Sequence, residues 1–319
     1  MTSHPSKFPL TTSGPFRLYS TEELLRMPPP HWLVDTILPA GGLVALYGQP
    51  GEGKSFVALD LALSVASGKP WLSQFPVQAG YVVYISAEGG TGIGKRVQAW
   101  ITARGVSPAN LPIAWLIESI PIYADSEQMH VLLKRISTEI DVAPTLVVVD
   151  TLARCFDGDE NQQEDMGRFI AGIDTIRHTF KATVLVVHHT RLDGERERGN
   201  TAFRGAADAM IGLSLDVAEH PEQGIILACK KQKDAEPFPE LRCRLVPVSG
   251  TGSCVTHPEA EEILTQVTEV LKQAGKPLFL GELHKALHWV SMSRSTLVRC
   301  LRDSVETGEI IKENGKYRL

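Results

Sequence analysis

At 319 residues the chain has room for one large domain and one small one. Its 43% hydrophobic and 22% charged content is ordinary for a soluble globular protein, and a net charge of −5 excludes a global basic field, so any contact with nucleic acid must come from local patches. No apolar run approaches a membrane span, the N-terminus lacks a signal-peptide pattern, and the five cysteines form neither a C-x-x-C pair nor a zinc spacing, so reduced thiols, a cytoplasmic location and no membrane partner are expected.

In chain order, residues 1–30 read as a flexible arm, of which residues 1–19 are rich in Ser, Thr and Pro. The arm carries one short helix, Thr21 to Arg26, opened by the capping box Ser20-Thr21-Glu22-Glu23 and stopped by Met27-Pro28-Pro29-Pro30. His31 to Leu38 is an extended lead-in. Apolar strands are expected at Leu43–Tyr47, Tyr81–Ile85, Ile113–Ile117, Thr145–Asp150 and Thr183–Val187. Between them lie helices at Phe56–Ala66, Ile93–Arg104, Ser126–Ile140 and Glu164–Phe180, with a polar loop over 154–163. Such alternation implies an α/β fold with a mostly parallel sheet covered by helices. A charged loop, 190–204, precedes strands at Ala209–Leu215, Gly224–Cys229 and Leu241–Val248, read as an antiparallel extension of the sheet. Residues 249–258, rich in Gly and Ser, read as a linker, placed at 251–258 between a domain over 31–250 and another over 259–319. The last part reads as helices at Glu259–Ala274, Leu280–Leu287 and Ser293–Glu306, followed by a β-like tail, Ile310–Leu319.

The stretch Gly48-Gln49-Pro50-Gly51-Glu52-Gly53-Lys54-Ser55 has the form G-x-x-x-x-G-K-S and lies between an apolar strand and the helix that opens at Phe56. That context suits a phosphate-binding loop. Its glycines let backbone N–H groups point inward, and the helix N-terminus adds partial positive charge. Lys54 then reaches the β- and γ-phosphates of ATP, and the Ser55 hydroxyl ligates Mg²⁺. Asp150 ends the strand Leu146-Val147-Val148-Val149, where a carboxylate can hold Mg²⁺ beside that serine. Glu88 follows the strand after the P-loop helix, where a carboxylate can take the proton of an attacking water. His188 and His189 close the last strand of the series, and no Cys or carboxylate stands near them at zinc-ligand spacing.

With GQPGEGKS, YVVYISAEGG, TLVVVDTLAR, VVHHTR and AFRGAADAMIG in this order, residues 30–250 resemble the RecA-fold ATPases of the DnaB-like branch, and within it the RepA-type hexameric replicative helicases of plasmids, phages and mobile elements. The resemblance implies a RecA-like core and a hexameric ring moving on single-stranded DNA. Lys54 and Ser55 would bind nucleotide and metal, Glu88 would be the catalytic base and Asp150 the Walker B acid. Either His188 or His189 would sense the γ-phosphate. A basic residue from the neighbouring subunit would complete the site, with Arg204, Lys231 and Lys233 as candidates; this chain has Lys-x-Lys where related proteins often carry Lys-x-Arg. Arg191, Arg196 and Arg198 would lie near the central channel. Arginines on a loop can follow a phosphate backbone without reading bases, although Asp193, Glu195 and Glu197 interleave with them. Two other readings fit the same motifs: a RecA- or RadA-like recombination or repair ATPase without unwinding activity, and an ATP-regulated DNA-binding regulator.

The C-terminal helices and tail resemble a winged helix-turn-helix. Ser293–Arg302 would be the recognition helix, presenting Arg294, Arg299 and Arg302, and the tail a hairpin turning at Asn314-Gly315. Acidic and basic side chains balance in this segment, so its partner is either duplex DNA or a replication protein.

Overall fold

The computed structural model describes residues 19–72, 74–88, 90, 92–189, 201–215, 224–258, 260–287, 294–306 and 308–319. Two compact units are present, one ending at His31 and one beginning at Trp32. In the first, α1 (Thr21–Leu25) starts where the Ser20 hydroxyl accepts from the Glu23 N–H and the Glu23 carboxylate accepts from the Ser20 N–H, two orphan donors satisfied reciprocally.

The second unit opens with a small antiparallel ribbon, β1 (Trp32–Val34) and β2 (Leu38–Pro39). The main body then runs β3 (Leu43–Gly48), α2 (Lys54–Ser67), β4 (Val82–Ser86), α3 (Ile93–Arg104), β5 (Ile113–Leu116), α4 (Glu127–Glu139), β6 (Leu146–Asp150), α5 (Leu152–Cys155), α6 (Gln163–Phe180) and β7 (Thr183–His189). It continues through α7 (Thr201–Ala206), β8 (Ala209–Leu215), β9 (Gly224–Gln232), β10 (Leu241–Val248) and β11 (Ser253–Pro258). These strands form one sheet in the order β11-β10-β9-β8-β3-β7-β6-β4-β5. The six from β8 to β5 are parallel, and β9, β10 and β11 continue antiparallel. The sheet is apolar on both faces, which explains the unbroken runs of Val, Leu and Ile. Val44, Leu46, Tyr84, Val148 and Leu185 pack on the side of α2 and α3, while Ala45, Ile85, Val149 and Val186 pack on the side of α6.

Four expectations need correction. β8 is parallel to β3, not part of the antiparallel extension; a parallel partner requires a crossover, and the segment containing α7 provides it. Arg204 therefore sits on α7 rather than on a loop. The supposed polar loop over 154–163 begins inside α5. Ser253–Pro258 is not a linker but the edge strand β11, paired with β10 from Val248↔Ser253 to Cys243↔Pro258. The glycines read there as flexibility make the hairpin turn instead, with Gly250 at φ +80° and Gly252 at φ +64°.

Beyond β11 lie α8 (Ala260–Ala274), β12 (Leu278–Phe279), α9 (Leu280–Ala286), α10 (Arg294–Glu306), β13 (Ile311–Glu313) and β14 (Lys316–Arg318). The three strands form a separate antiparallel sheet, β12-β14-β13, over a core of its own that includes Val267, Leu271, Leu283, Leu297, Leu301 and Tyr317. Asn314 at φ +51° and Gly315 at φ +76° make the two-residue turn between β13 and β14, the left-handed pair that matches strand twist. This is the small C-terminal helix-and-sheet module that the sequence implied.

Candidate nucleotide site

The site begins where β3 leaves the sheet. At Gly48 a Cβ would lie 2.5 Å from the Leu213 carbonyl oxygen of β8 and 2.7 Å from the Glu52 carboxylate, so only glycine passes. Gly51 and Gly53 turn the loop in the left-handed region, at φ +85° and +95°, and Gly53 is the N-cap of α2. Phe56 and Val57 donate their N–H groups to the Gly53 carbonyl at 2.9 and 3.1 Å and start the helix. The N–H groups ahead of Phe56 have no acceptor within the helix, the general basis of anion binding at a helix start.

Two charged side chains tie the loop together through Gln49. The Glu52 carboxylate accepts from the Gln49 N–H at 2.5 Å, and the Lys54 ammonium donates to the Gln49 carbonyl at 2.6 Å. Lys54 is buried, and burial lowers its pKa against the opposing fields of Glu52, Asp150 and Glu88. Burial also raises the pKa of Glu52, offset by the Gln49 N–H and by Lys54. Pro50 is exposed at the tip.

Strand register brings the other groups to the same end of the sheet. Ser86 of β4 pairs with Asp150 of β6, Asp150 with Val187 of β7, and Gly48 with His189. The Ser55 hydroxyl donates to Asp150 Oδ1 at 3.1 Å across 95 residues of sequence, and the Tyr84 hydroxyl donates to Asp150 Oδ2 at 2.7 Å. Asp150 is only 3% exposed. Burial is the largest influence on its carboxyl and raises its pKa; the Tyr84 and Ser55 hydrogen bonds pull it down, Glu88 pushes it up and Arg96 pulls it down. Tyr84, fully buried, is held well above the usual phenol range by burial and by Asp150.

Glu88 sits two residues beyond β4. Its carbonyl accepts from the Ser86 hydroxyl at 3.2 Å, and its Oε1 accepts from the Thr151 hydroxyl at 3.0 Å, with the Arg154 guanidinium 3.6 Å away. The two histidines part company. His188 is buried, its ring edge-on to Phe203 of α7 with centroids 5.9 Å apart, whereas His189 is half-buried and in register with Gly48. Ser55 Oγ and Asp150 Oδ1 are hard oxygen donors of the kind Mg²⁺ takes, and the glycine loop with Lys54 has the chemistry for a triphosphate.

The three residues expected to act across a subunit boundary differ. Arg204 is exposed on α7. Lys233 is exposed and lies 3.3 Å from Asp208, a carboxylate it shares with Arg177. Lys231 donates to three carbonyls of its own chain, so its ammonium caps α7 in cis, a different task from the one expected. Arg191, Arg196 and Arg198 lie outside the described residues, as do the side chains of Arg294 and Arg299; Arg302 is exposed on α10.

Sequence reasoning missed four residues of the site: Tyr84, Thr151, Arg154 and Arg96, whose guanidinium lies over the Phe56 ring at 4.7 Å. Thr151-Leu152-Ala153-Arg154 directly follows the strand acid, and that adjacency was the available signal for two of them.

The sequence model of a family described as an AAA domain matches residues 15–195, more than half of the chain. Among solved structures the chain is similar to a RadB recombinase, at 17% identity over 68% of this chain and 90% of that one, with a TM-score of 0.48. It is also similar to a KaiC-like protein from Pyrococcus horikoshii OT3, at 16% identity over 71% of this chain and 94% of that one, with a TM-score of 0.46.

Proposed function

Because the chain belongs to the AAA-domain family, we propose that it is an ATP-hydrolysing motor that moves on DNA, and more narrowly a ring-forming replicative helicase of a plasmid, phage or mobile element. The observation that carries the nucleotide chemistry is the 3.1 Å contact between Ser55 and Asp150, which joins the P-loop to the acid at the end of β6. Bound Mg²⁺ would supply charge neutralisation on the phosphates, with Ser55 and Asp150 as its protein ligands. Lys54 is the fixed charge on the transferring phosphoryl group. Phe56 and the loop residues Gly48, Gln49, Pro50, Gly51, Glu52 and Gly53 frame the triphosphate. Glu88 takes the proton of the attacking water.

Of the two histidines, we assign the phosphate-sensing role to His189. Its register with Gly48 and its partial exposure favour it over His188, whose ring is buried against Phe203. Arg204 and Lys233, both exposed, are the residues we assign to a neighbour's site in a hexamer. Arg191, Arg196 and Arg198 are assigned to the phosphates of single-stranded DNA, on the family resemblance and their charge. The C-terminal module is read as a winged helix binding duplex DNA or a replication protein. Among the described residues no helix is long and apolar enough to cross a membrane.

The test combines mass measurement, with and without ATP and single-stranded DNA, and a strand-displacement assay. A nucleotide-dependent ring that displaces strands is the expected result. A filament that hydrolyses ATP without displacement would instead identify a recombination ATPase. Lys54→Ala should abolish hydrolysis; normal turnover in that variant would sink the nucleotide reading altogether.

A further inference from the structure

The structure surrounds Glu88 with a mount that the motif reading did not contain. Two groups converge on one oxygen of its carboxylate: the Thr151 hydroxyl donates to Oε1 at 3.0 Å, and Arg154 Nε lies 3.6 Å from the same atom. Thr151 is 2% exposed, so its hydroxyl is fixed, and the Ala87 N–H donates to the Asp150 carbonyl at 2.8 Å, locking the strand ends that carry acid and mount together. The Ser86 hydroxyl holds the Glu88 main chain from the other side. An unrestrained glutamate has three rotatable side-chain bonds, whereas a base must present one oxygen within hydrogen-bond reach of the water it deprotonates.

We propose that Thr151 and Arg154 are positioning residues for Glu88, engaging Oε1 so that Oε2 faces the attacking water. This rests on the reading of Glu88 as the base. In that step the water's O–H bond breaks with its proton passing to Oε2, a bond forms from the water oxygen to the γ-phosphorus, and the bond from that phosphorus to the bridging oxygen breaks. ADP keeps the electron pair of the broken bond, and the proton later leaves Glu88 for phosphate or solvent. Neither positioning residue gains or loses a proton. Thr151, buried and hydrogen-bonded, carries the greater share. Arg154, 65% exposed and beyond hydrogen-bond distance, adds an attraction that salt screens.

The experiment is steady-state ATP hydrolysis by the full chain with single-stranded DNA, read as kcat and KM separately. Thr151→Val removes the hydroxyl at nearly constant shape; kcat should fall about tenfold with KM for ATP unchanged, and Thr151→Ser should restore most of the rate. Adding Thr151→Val to Glu88→Gln should cause no further loss, because the mount acts only through the base. Arg154→Gln should lower kcat about threefold at low salt, less at high salt, with Arg154→Lys intermediate. Because Arg154 is exposed, this second variant keeps the test open if Thr151→Val unfolds. A native kcat in Thr151→Val and Arg154→Gln, or a raised KM at native kcat, overturns the positioning role while an inactive Glu88→Gln preserves the base. Native turnover in Glu88→Gln itself overturns the base assignment instead.

Discussion

The ammonium of Lys231 on β9 donates to the main-chain carbonyl of Arg204 on α7 at 2.7 Å, and to those of Gly205 and Ala207 at 3.1 and 2.5 Å. All three of its donors are thus engaged at the C-terminal end of one short helix, where peptide carbonyls concentrate negative charge. Burial, then Lys233, lower its pKa, and Asp208 opposes them. The same helix carries Phe203, against which the His188 ring packs. Lys231→Met should therefore loosen α7, with faster amide exchange over 201–206 and a loss of about 1 kcal/mol in stability. If Lys231 instead serves a neighbour's nucleotide, hydrolysis in the assembled protein will collapse while exchange over α7 stays unchanged.

Asp150 gives a prediction with a defined sign in pH. Burial raises its folded-state pKa above the unfolded value, so the ionised carboxylate costs stability at neutral pH. The cost falls as pH drops through the folded value and is gone below the unfolded value of about 3.9. Asp150→Asn should accordingly be more stable than the native chain at pH 7 without nucleotide, by about 1 kcal/mol, the low end for replacing buried charge. That advantage should shrink on acidification, as measured by thermal midpoints across pH. The variant should also lose Mg²⁺-dependent hydrolysis and the stabilisation that ATP and Mg²⁺ give the native chain. An equal midpoint at all pH values would mean that the Tyr84 and Ser55 hydrogen bonds already offset the burial.

Gly48 and Gly53 fail on substitution for different reasons. Gly48→Ala places a methyl group against the Leu213 carbonyl, a backbone atom that moves only if β8 does. Gly53→Ala is strained by φ +95° and approaches Ile225 Cδ1, at 3.0 Å, the flexible end of a side chain. Gly48→Ala should cost about 2 kcal/mol and weaken nucleotide binding; Gly53→Ala should cost about 1 kcal/mol or more. Chemical denaturation and nucleotide titration on both variants check the order.

The parts of the molecule that could be read in the sequence are those in which one local signal suffices. β3, β6 and β7 are buried on both faces and so are continuous runs of branched aliphatics, and the P-loop is a contiguous string whose spacing states its chemistry. The contacts that finish the site are not local. Tyr84 reaches Asp150 only because β4 and β6 pair in register, and Tyr84 in isolation is one more aromatic residue in a buried strand. The three carbonyls that Lys231 meets come within its reach only once β9 is placed beside α7. β11 was missed for a related reason, since Gly250 and Gly252 suit a linker and a hairpin turn equally well, and only pairing with β10 distinguishes the two.

That strand sets where the C-terminal module can be cut. A chain ending at residue 252 would remove β11, expose the edge of β10 and delete the Thr256 carbonyl that accepts from Arg104 of α3 at 3.3 Å. It would also remove Val255, part of the core between the sheet and α2. A chain ending at Pro258 keeps all of these, and residues 259–319 retain their own core around Leu283, Leu297 and Leu301. The shorter chain should therefore aggregate or unfold early, while the longer one should keep its midpoint and hydrolyse ATP much as the full chain does. The longer one should lose affinity for duplex DNA, because Arg302 on α10 and Lys312 and Lys316 at the hairpin go with the module. Binding of duplex by residues 259–319 alone should weaken steeply with salt as phosphate contacts release counterions. If that fragment, shown to be folded, binds no duplex at low salt, the module is a docking site for a replication protein.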